Sequence, residues 1–430
     1  MTAQIYKKFD WILFIDAIIL SLVGILFVYS AQLRSGNAGI FVAKQSTAFA
    51  IGIAAMLLII NVRYEIYAAY TKYVYLFALF LLFAVLLVGT NVRGSKSWFD
   101  FGKFAFQPSE VAKIALILHL AGYINKNFYA MKKISRLLMP LLFTAAYLGL
   151  IMLEPDFSSG AVFIPIFLGM VIVGGASKQL VIFSFVFAVV AAGLPLASVY
   201  SDVICPGGFF ARNLRIIYVA AVAASAVCAW QFFKFLRLKI DAATYKKVFL
   251  IVLAAVAAGL IATSTLKNYQ KRRILAVMAP SFDPLGGGYN VLQSKIAIGS
   301  GMIKGRGLFH GTQSQLGFIP DQHTDFIFAV ISEEGGAVVS FGVLLLYLIL
   351  IARGISIAKN AADRFGSMIA VGIVIMFSFY IILNLGMLTG IMPVAGVPLP
   401  FLSYGGSSLV INMIAVGLLI NIHIRRYANV

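Results

Sequence analysis

Acidic side chains are scarce in this sequence: 15 Asp and Glu stand against 34 Lys and Arg in 430 residues. Charge of either sign is thin at 11%, while 61% of residues are hydrophobic and mean hydropathy is +0.97. That balance excludes a soluble domain with an anchor and indicates a polytopic membrane protein. Cysteine is nearly absent, with Cys205 and Cys228 alone. Cys228 falls within an apolar run expected to be helical, which argues against a disulfide, and no zinc spacing occurs. No secretory signal peptide stands out; the first apolar run, 11–30, is expected to remain as a signal anchor. The net charge of +19 points to basic loops against anionic lipid, with a phosphate-bearing substrate accounting for the rest. No nucleic-acid partner is expected.

What the chain has instead is a succession of apolar runs, each near the ~20 residues that a bilayer requires. Twelve spans are expected at 11–30, 42–61, 67–88, 109–124, 137–153, 161–174, 180–200, 216–233, 248–266, 326–351, 365–388 and 407–423. Helices are the only open-ended way to satisfy backbone polar groups in lipid. The expected fold is therefore all-α and polytopic, one integral membrane domain over 1–430 with about 12 transmembrane helices. An even count puts both termini on one side. The short basic loops at 126–136, 234–247 and 353–364 share that side with Arg425 and Arg426, so the termini are expected to be cytoplasmic. Arg93, Lys96 and Lys103 fall in outer loops, as does the long cationic stretch from Lys267, but long loops translocate largely regardless of charge.

One stretch, 269–336, breaks the pattern. It opens with Lys271, Arg272 and Arg273, continues through Asp283, Pro284, Leu285 and three glycines, and then holds Gln293 and Lys295. Gly299, Gly301, Gly305 and Gly307 follow, interleaved with Lys304 and Arg306, and Gln322, His323, Thr324 and Asp325 close it. A run this long without an uninterrupted span argues for function over connection. Cations, amides and a carboxylate beside membrane spans point to an anionic, oxygen-rich substrate, and the glycines would let the backbone approach it closely. A plain surface loop is the competing reading.

Ionisable residues near the bilayer are the next candidates. Gln107, Pro108 and Ser109 form a helix start, and Glu110 and Lys113, three apart, share a helix face where they can pair. Such a pair is costly unless it faces protein or water, so it is a functional candidate, with a structural ion pair as the alternative. Glu154 and Asp156 flank Pro155 at the outer end of the fifth span, either as a helix-end turn or as part of the same site. Glu333 and Glu334 are expected to pair with loop cations. His323 is a hydrogen-bonding candidate before a catalytic one, and His119 and His423 are expected to be structural. The run 393–408, with three prolines, cannot be a regular helix. Its end, from Ser403 to Ser408, offers either an anion site at the next helix's N-terminus or a structural re-entrant turn.

These segments occur in the order found in SEDS proteins (shape, elongation, division and sporulation), which the chain resembles over nearly its whole length. They are 107–110, 154–156, 283–286, the glycine run, 311–316 with 322–328, and 398–408. The stretch from His310 to Leu316 makes it more similar to the RodA-like branch than to the FtsW-like one. The resemblance implies a peptidoglycan glycosyltransferase that polymerises lipid II outside the membrane, releases undecaprenyl pyrophosphate, and works with a class B penicillin-binding protein. Membrane proteins of the elongation complex are further expected partners. It puts the family's loop aspartate at Asp283 and its paired Glu and Lys at Glu110 and Lys113. Two departures stand out. The catalytic loop, 268–325, follows the ninth span instead of the seventh, which implies an inserted helical pair within 180–266. Glu154 also stands where glutamine is common.

Forming a β-1,4 bond from an α-linked lipid pyrophosphate inverts the anomeric carbon, so one displacement suffices. It needs a base at the acceptor hydroxyl and positive charge on the leaving group. Asp283 is expected to serve as base or metal ligand. Arg272, Arg273, Lys295, Lys304 and Lys113 are expected near the pyrophosphate, with Glu110, Gln293, His323 and Ser403 as further substrate contacts. A divalent cation, Mg or Mn, is an expected cofactor. The alternatives are an FtsW-like division polymerase, a lipid II flippase, for which twelve spans and buried charge are equal evidence, or a non-catalytic scaffold. No convincing repeat between the halves supports the flippase.

Overall fold

The computed structural model describes residues 9–34, 36–92, 95–100, 102, 104–204, 209–235, 242–265 and 287–426. It is mainly helical, and each of the twelve expected spans falls on helix. In chain order these are α1 (Trp11–Gln32), α2 (Ala38–Asn61), α3 (Tyr64–Val88), α4 (Pro108–Asn127) and α5 (Ile134–Leu153). The short pair α6 (Phe157–Ala161) and α7 (Phe163–Val173) then takes the place of the sixth run. After it come α8 (Lys178–Ile204), α9 (Phe209–Phe235), α10 (Ala242–Thr265), α11 (Gly287–Ser300) and α12 (Thr312–Gln315). The chain ends with α13 (Ile327–Lys359), α14 (Arg364–Leu388) and α15 (Gly406–Arg425). Seven of them are long and apolar enough to cross a membrane unaided. Between α3 and α4 lies a small antiparallel sheet of β1 (Thr90–Val92), β2 (Ser95–Asp100) and β3 (Ala105–Phe106).

The chain divides into two compact units, 177–291 and the remainder. In the smaller unit α8 packs against α9 and α10, and the Tyr218 hydroxyl donates to the Val190 carbonyl. In the larger unit α4 and α15 are the central helices, with 14 and 15 of their 20 residues buried. Burial on nearly all sides explains how α4 can carry Glu110, Lys113 and His119: its surroundings are protein, so lipid solubility is not required of it. Pro108 occupies the first helical position, where its missing N–H costs nothing.

The glycine run has a specific partner. Helix α13 is broken at Gly336, whose φ of 65° lies in the left-handed region. A continuous helix would bond the Ala337 and Val338 N–H groups to the Glu333 and Glu334 carbonyls. Those carbonyls instead accept from Arg306 N and Gly307 N, each at 3.0 Å. Ala337 N and Val338 N donate to Met302 O and Ile303 O, at 2.8 and 3.3 Å. The segment 302–307 thus fills the break and satisfies these four backbone groups. A Cβ on Gly305 (φ +77°) would lie 2.1 Å from the Glu334 carbonyl oxygen. The close approach these glycines permit is therefore, at Gly305, to the protein's own backbone and not to a ligand.

Candidate functional site

Of the expected site residues, Glu110 and Lys113 come together as read. Lys113 Nζ lies 2.7 Å from Glu110 Oε1, with the two residues 0% and 5% exposed. The same ammonium meets the Tyr380 hydroxyl from α14 and sits 4.7 Å from that ring's centroid. Carboxylate, phenol and aromatic face together compensate a charge that burial would otherwise make prohibitive. Tyr380 was not legible as a site residue, because nothing in the periodicity of α14 separates it from its apolar neighbours.

A polar rim adjoins the N-terminal turn of α4. The Gln107 amide donates to Asp156 Oδ2 at 2.8 Å and to Ser159 Oγ at 3.2 Å. Asp156 caps α6 by accepting from Ser159 N at 3.1 Å, so the helix-end-turn reading holds for it. Glu154 differs. It is wholly buried, and neither carboxylate oxygen has a hydrogen-bond partner, although its carbonyl accepts from Ser95 Oγ at 2.6 Å. Burial, reinforced by the nearby Asp156 charge, pushes its carboxyl from an ordinary 4.5 up to about 8.

The expectation that Glu333 and Glu334 pair with loop cations is corrected. Glu333 accepts from Gln313 N at 2.7 Å, Ser314 N at 3.0 Å and Thr312 Oγ1 at 3.1 Å, all at the start of α12. Glu334 accepts from Ser30 Oγ at 2.6 Å and Phe309 N at 3.1 Å. Buried carboxylates are here held by neutral donors, backbone N–H groups and side-chain hydroxyls and amide, which also clamp the 309–315 segment onto α1 and α13.

Ser403 and His323 belong to a second clamp. Ser403 Oγ donates to Thr324 O at 2.6 Å and accepts from Leu399 N at 2.8 Å, while Tyr404 N donates to His323 O at 2.8 Å. Gly405 N donates to Gln45 Oε1 at 3.1 Å. The Asn384 amide bridges Asp325 O and Val397 O, at 2.8 and 2.6 Å. In this structure the run 393–405 is thus a non-helical turn tied by hydrogen bonds. The His323 ring packs against Phe41 and Tyr404. Lys295, on α11, and Lys304 are exposed; Gln293 is half-buried, with its Oε1 lacking a hydrogen-bond partner. Asp283, Arg272 and Arg273 lie outside the described residues. Among the described residues no three His, Cys, Asp or Glu converge as a metal site.

A family model of cell cycle proteins, grouping FtsW, RodA and SpoVE, matches residues 10–203 and 214–428. The peptidoglycan glycosyltransferase MrdB of Escherichia coli (strain K12) is 34% identical, the match spanning 99% of this chain and 98% of that one. The peptidoglycan glycosyltransferase RodA of Treponema pallidum (strain Nichols) is 35% identical over 98% of both chains. A chain from a solved structure on the structural coordination of polymerization and crosslinking by a peptidoglycan synthase complex superposes with a TM-score of 0.68. It is 26% identical, with 97% of this chain and 98% of that one covered. This multi-pass membrane chain belongs to the FtsW/RodA/SpoVE family.

Proposed function

We propose that this protein is a peptidoglycan glycosyltransferase of the RodA kind, which polymerises lipid II at the outer face of the bacterial cytoplasmic membrane during elongation. The observation that carries the reading is its near-full-length likeness to MrdB and RodA, both named peptidoglycan glycosyltransferases. The 4-hydroxyl of the acceptor sugar attacks the anomeric carbon of the donor and forms the β-1,4 bond. The bond to pyrophosphate breaks, undecaprenyl pyrophosphate departs, and the hydroxyl proton passes to the Asp283 carboxylate. Exposed Lys295 and Lys304, with Arg272 and Arg273, supply positive charge for the leaving group. Gln293 and His323 border the acceptor side. Glu110, Lys113 and Ser403 keep the wall of the site in shape.

Both termini are cytoplasmic in this reading, 268–325 is the extracytoplasmic loop, and the inserted pair lies within 180–266. A class B penicillin-binding protein is the proposed partner, and other membrane proteins of the elongation complex join it. In the alternative role for Asp283, its carboxylate would hold a divalent ion, Mg or Mn, to neutralise the leaving group. The test is purified full-length protein with its transpeptidase partner, incubated with labelled lipid II and resolved on a gel. Polymer should form with wild type and vanish with Asp283→Asn, while membrane insertion and partner binding persist. Robust polymer from Asp283→Asn would remove Asp283 from the base role. Chelation followed by Mg or Mn addition, in the same assay, tests the cation.

A further inference from the structure

At the end of α4 remote from Glu110, four cations crowd into 126–136: Lys126, Lys132, Lys133 and Arg136, all exposed. No Asp or Glu occurs anywhere from 111 to 153. A fifth cation arrives from α14, where the Arg364 guanidinium lies 3.7 Å from the Phe128 ring centroid and 5.4 Å from that of Tyr129. Arg136 is tied to the same place by the Tyr123 hydroxyl, which donates to its carbonyl at 3.0 Å. The carboxylate beside Arg364 is already committed. Asp363 accepts from the Tyr64 hydroxyl at 2.7 Å and from Gly366 N at 3.0 Å. Among the described residues, no carboxylate forms an ion pair with any of the five.

Two further features say what the unbalanced charge faces. The Tyr129 ring is 84% exposed, the habit of an aromatic anchor at headgroup level. Immediately after Arg136, α5 presents Leu138, Met139, Leu141 and Leu142 as exposed apolar surface. Cations above and hydrocarbon below match a lipid that carries a phosphate and acyl chains. An acidic soluble partner would have no use for the apolar half. Stacking on Phe128 occupies the face of the Arg364 guanidinium and leaves its edge donors for phosphate oxygens.

We propose that 126–136 and Arg364 form a binding site for an anionic phospholipid, its phosphate among the cations and its chains along Leu138 and Leu142. The test is native mass spectrometry of the full chain in detergent, titrated with phosphatidylglycerol, with phosphatidylcholine of the same chains, or with inorganic phosphate. Wild type should retain phosphatidylglycerol selectively. Each charge removed should weaken retention roughly five-fold, so the triple variant Lys132→Gln, Lys133→Gln, Arg136→Gln should lose on the order of 100-fold. Tyr129→Ala should weaken retention with no change in charge. All variants should unfold at the wild-type temperature in phosphatidylcholine, since the altered side chains are exposed. Equal retention of the two lipids, or full retention by the triple variant, would overturn the site. Displacement by inorganic phosphate at matched concentration would reduce it to a bare anion site and also overturn it.

Discussion

Neutralising either half of the Glu110–Lys113 pair should destabilise the protein far more than neutralising both. Lys113 is wholly buried, its ammonium 2.7 Å from the carboxylate. Lys113→Met therefore strands a carboxylate in protein interior, and Glu110→Gln strands an ammonium with the Tyr380 hydroxyl as its remaining described partner. Breaking a buried pair from one side costs ~3–5 kcal/mol. An exposed pair would cost only ~0–1 kcal/mol, so the measurement discriminates. The double variant Glu110→Gln, Lys113→Met leaves no buried charge and should regain most of the loss, because neutral replacements of a buried pair are often tolerated. Tyr380→Phe keeps the ring against the ammonium but removes a hydrogen bond to a charged group, and should cost ~1.5–3 kcal/mol. Equilibrium unfolding of purified protein in mixed micelles gives the full cycle. If both single variants fell within about 1 kcal/mol of wild type, the buried-pair reasoning would be refuted. Lipid II polymerisation on the same preparations then separates roles. Polymer yield that recovers with stability in the double variant marks the pair as architecture, whereas a stable, inactive double variant marks Lys113 as a contact to the leaving group.

Glu154 predicts a pH dependence. Its carboxyl is raised from 4.5 to about 8 in the folded chain, so the folded state holds a proton that the unfolded state releases between those values. The stability it contributes is complete below about 4.5 and disappears as pH rises through about 8. Thermal unfolding from pH 5 to 8 should show wild type falling relative to Glu154→Gln; parallel curves would show that Glu154 carries no such proton. The glycine run predicts a contrast between neighbours. Gly305→Ala needs a Cβ 2.1 Å from a carbonyl oxygen at a left-handed φ, and should unseat 302–307 from the α13 break. Gly299, inside α11 with open space around it, should accept Ala with a gain of up to ~1 kcal/mol. Limited proteolysis of the two variants checks both, and equal susceptibility would contradict the seating of the loop.

Local chemistry made much of this protein legible before any fold was known. Each of the twelve hydrophobic runs falls on helix among the described residues, because a bilayer leaves backbone few alternatives. Three prolines forbade a helix across 393–405, and a spacing of three put Glu110 and Lys113 on one face. The sequence could not say that Tyr380, 267 residues away, would close over Lys113. Nor could it say that Glu333 and Glu334 would bind backbone N–H groups and Ser30 in place of the cations nearby. The break at Gly336, repaired by 302–307, was equally hidden. Length and periodicity act along the chain and survive in any window of it. The partner of a buried charge or a freed carbonyl is decided only when distant helices dock, since several polar groups in the chain could satisfy it and packing admits one.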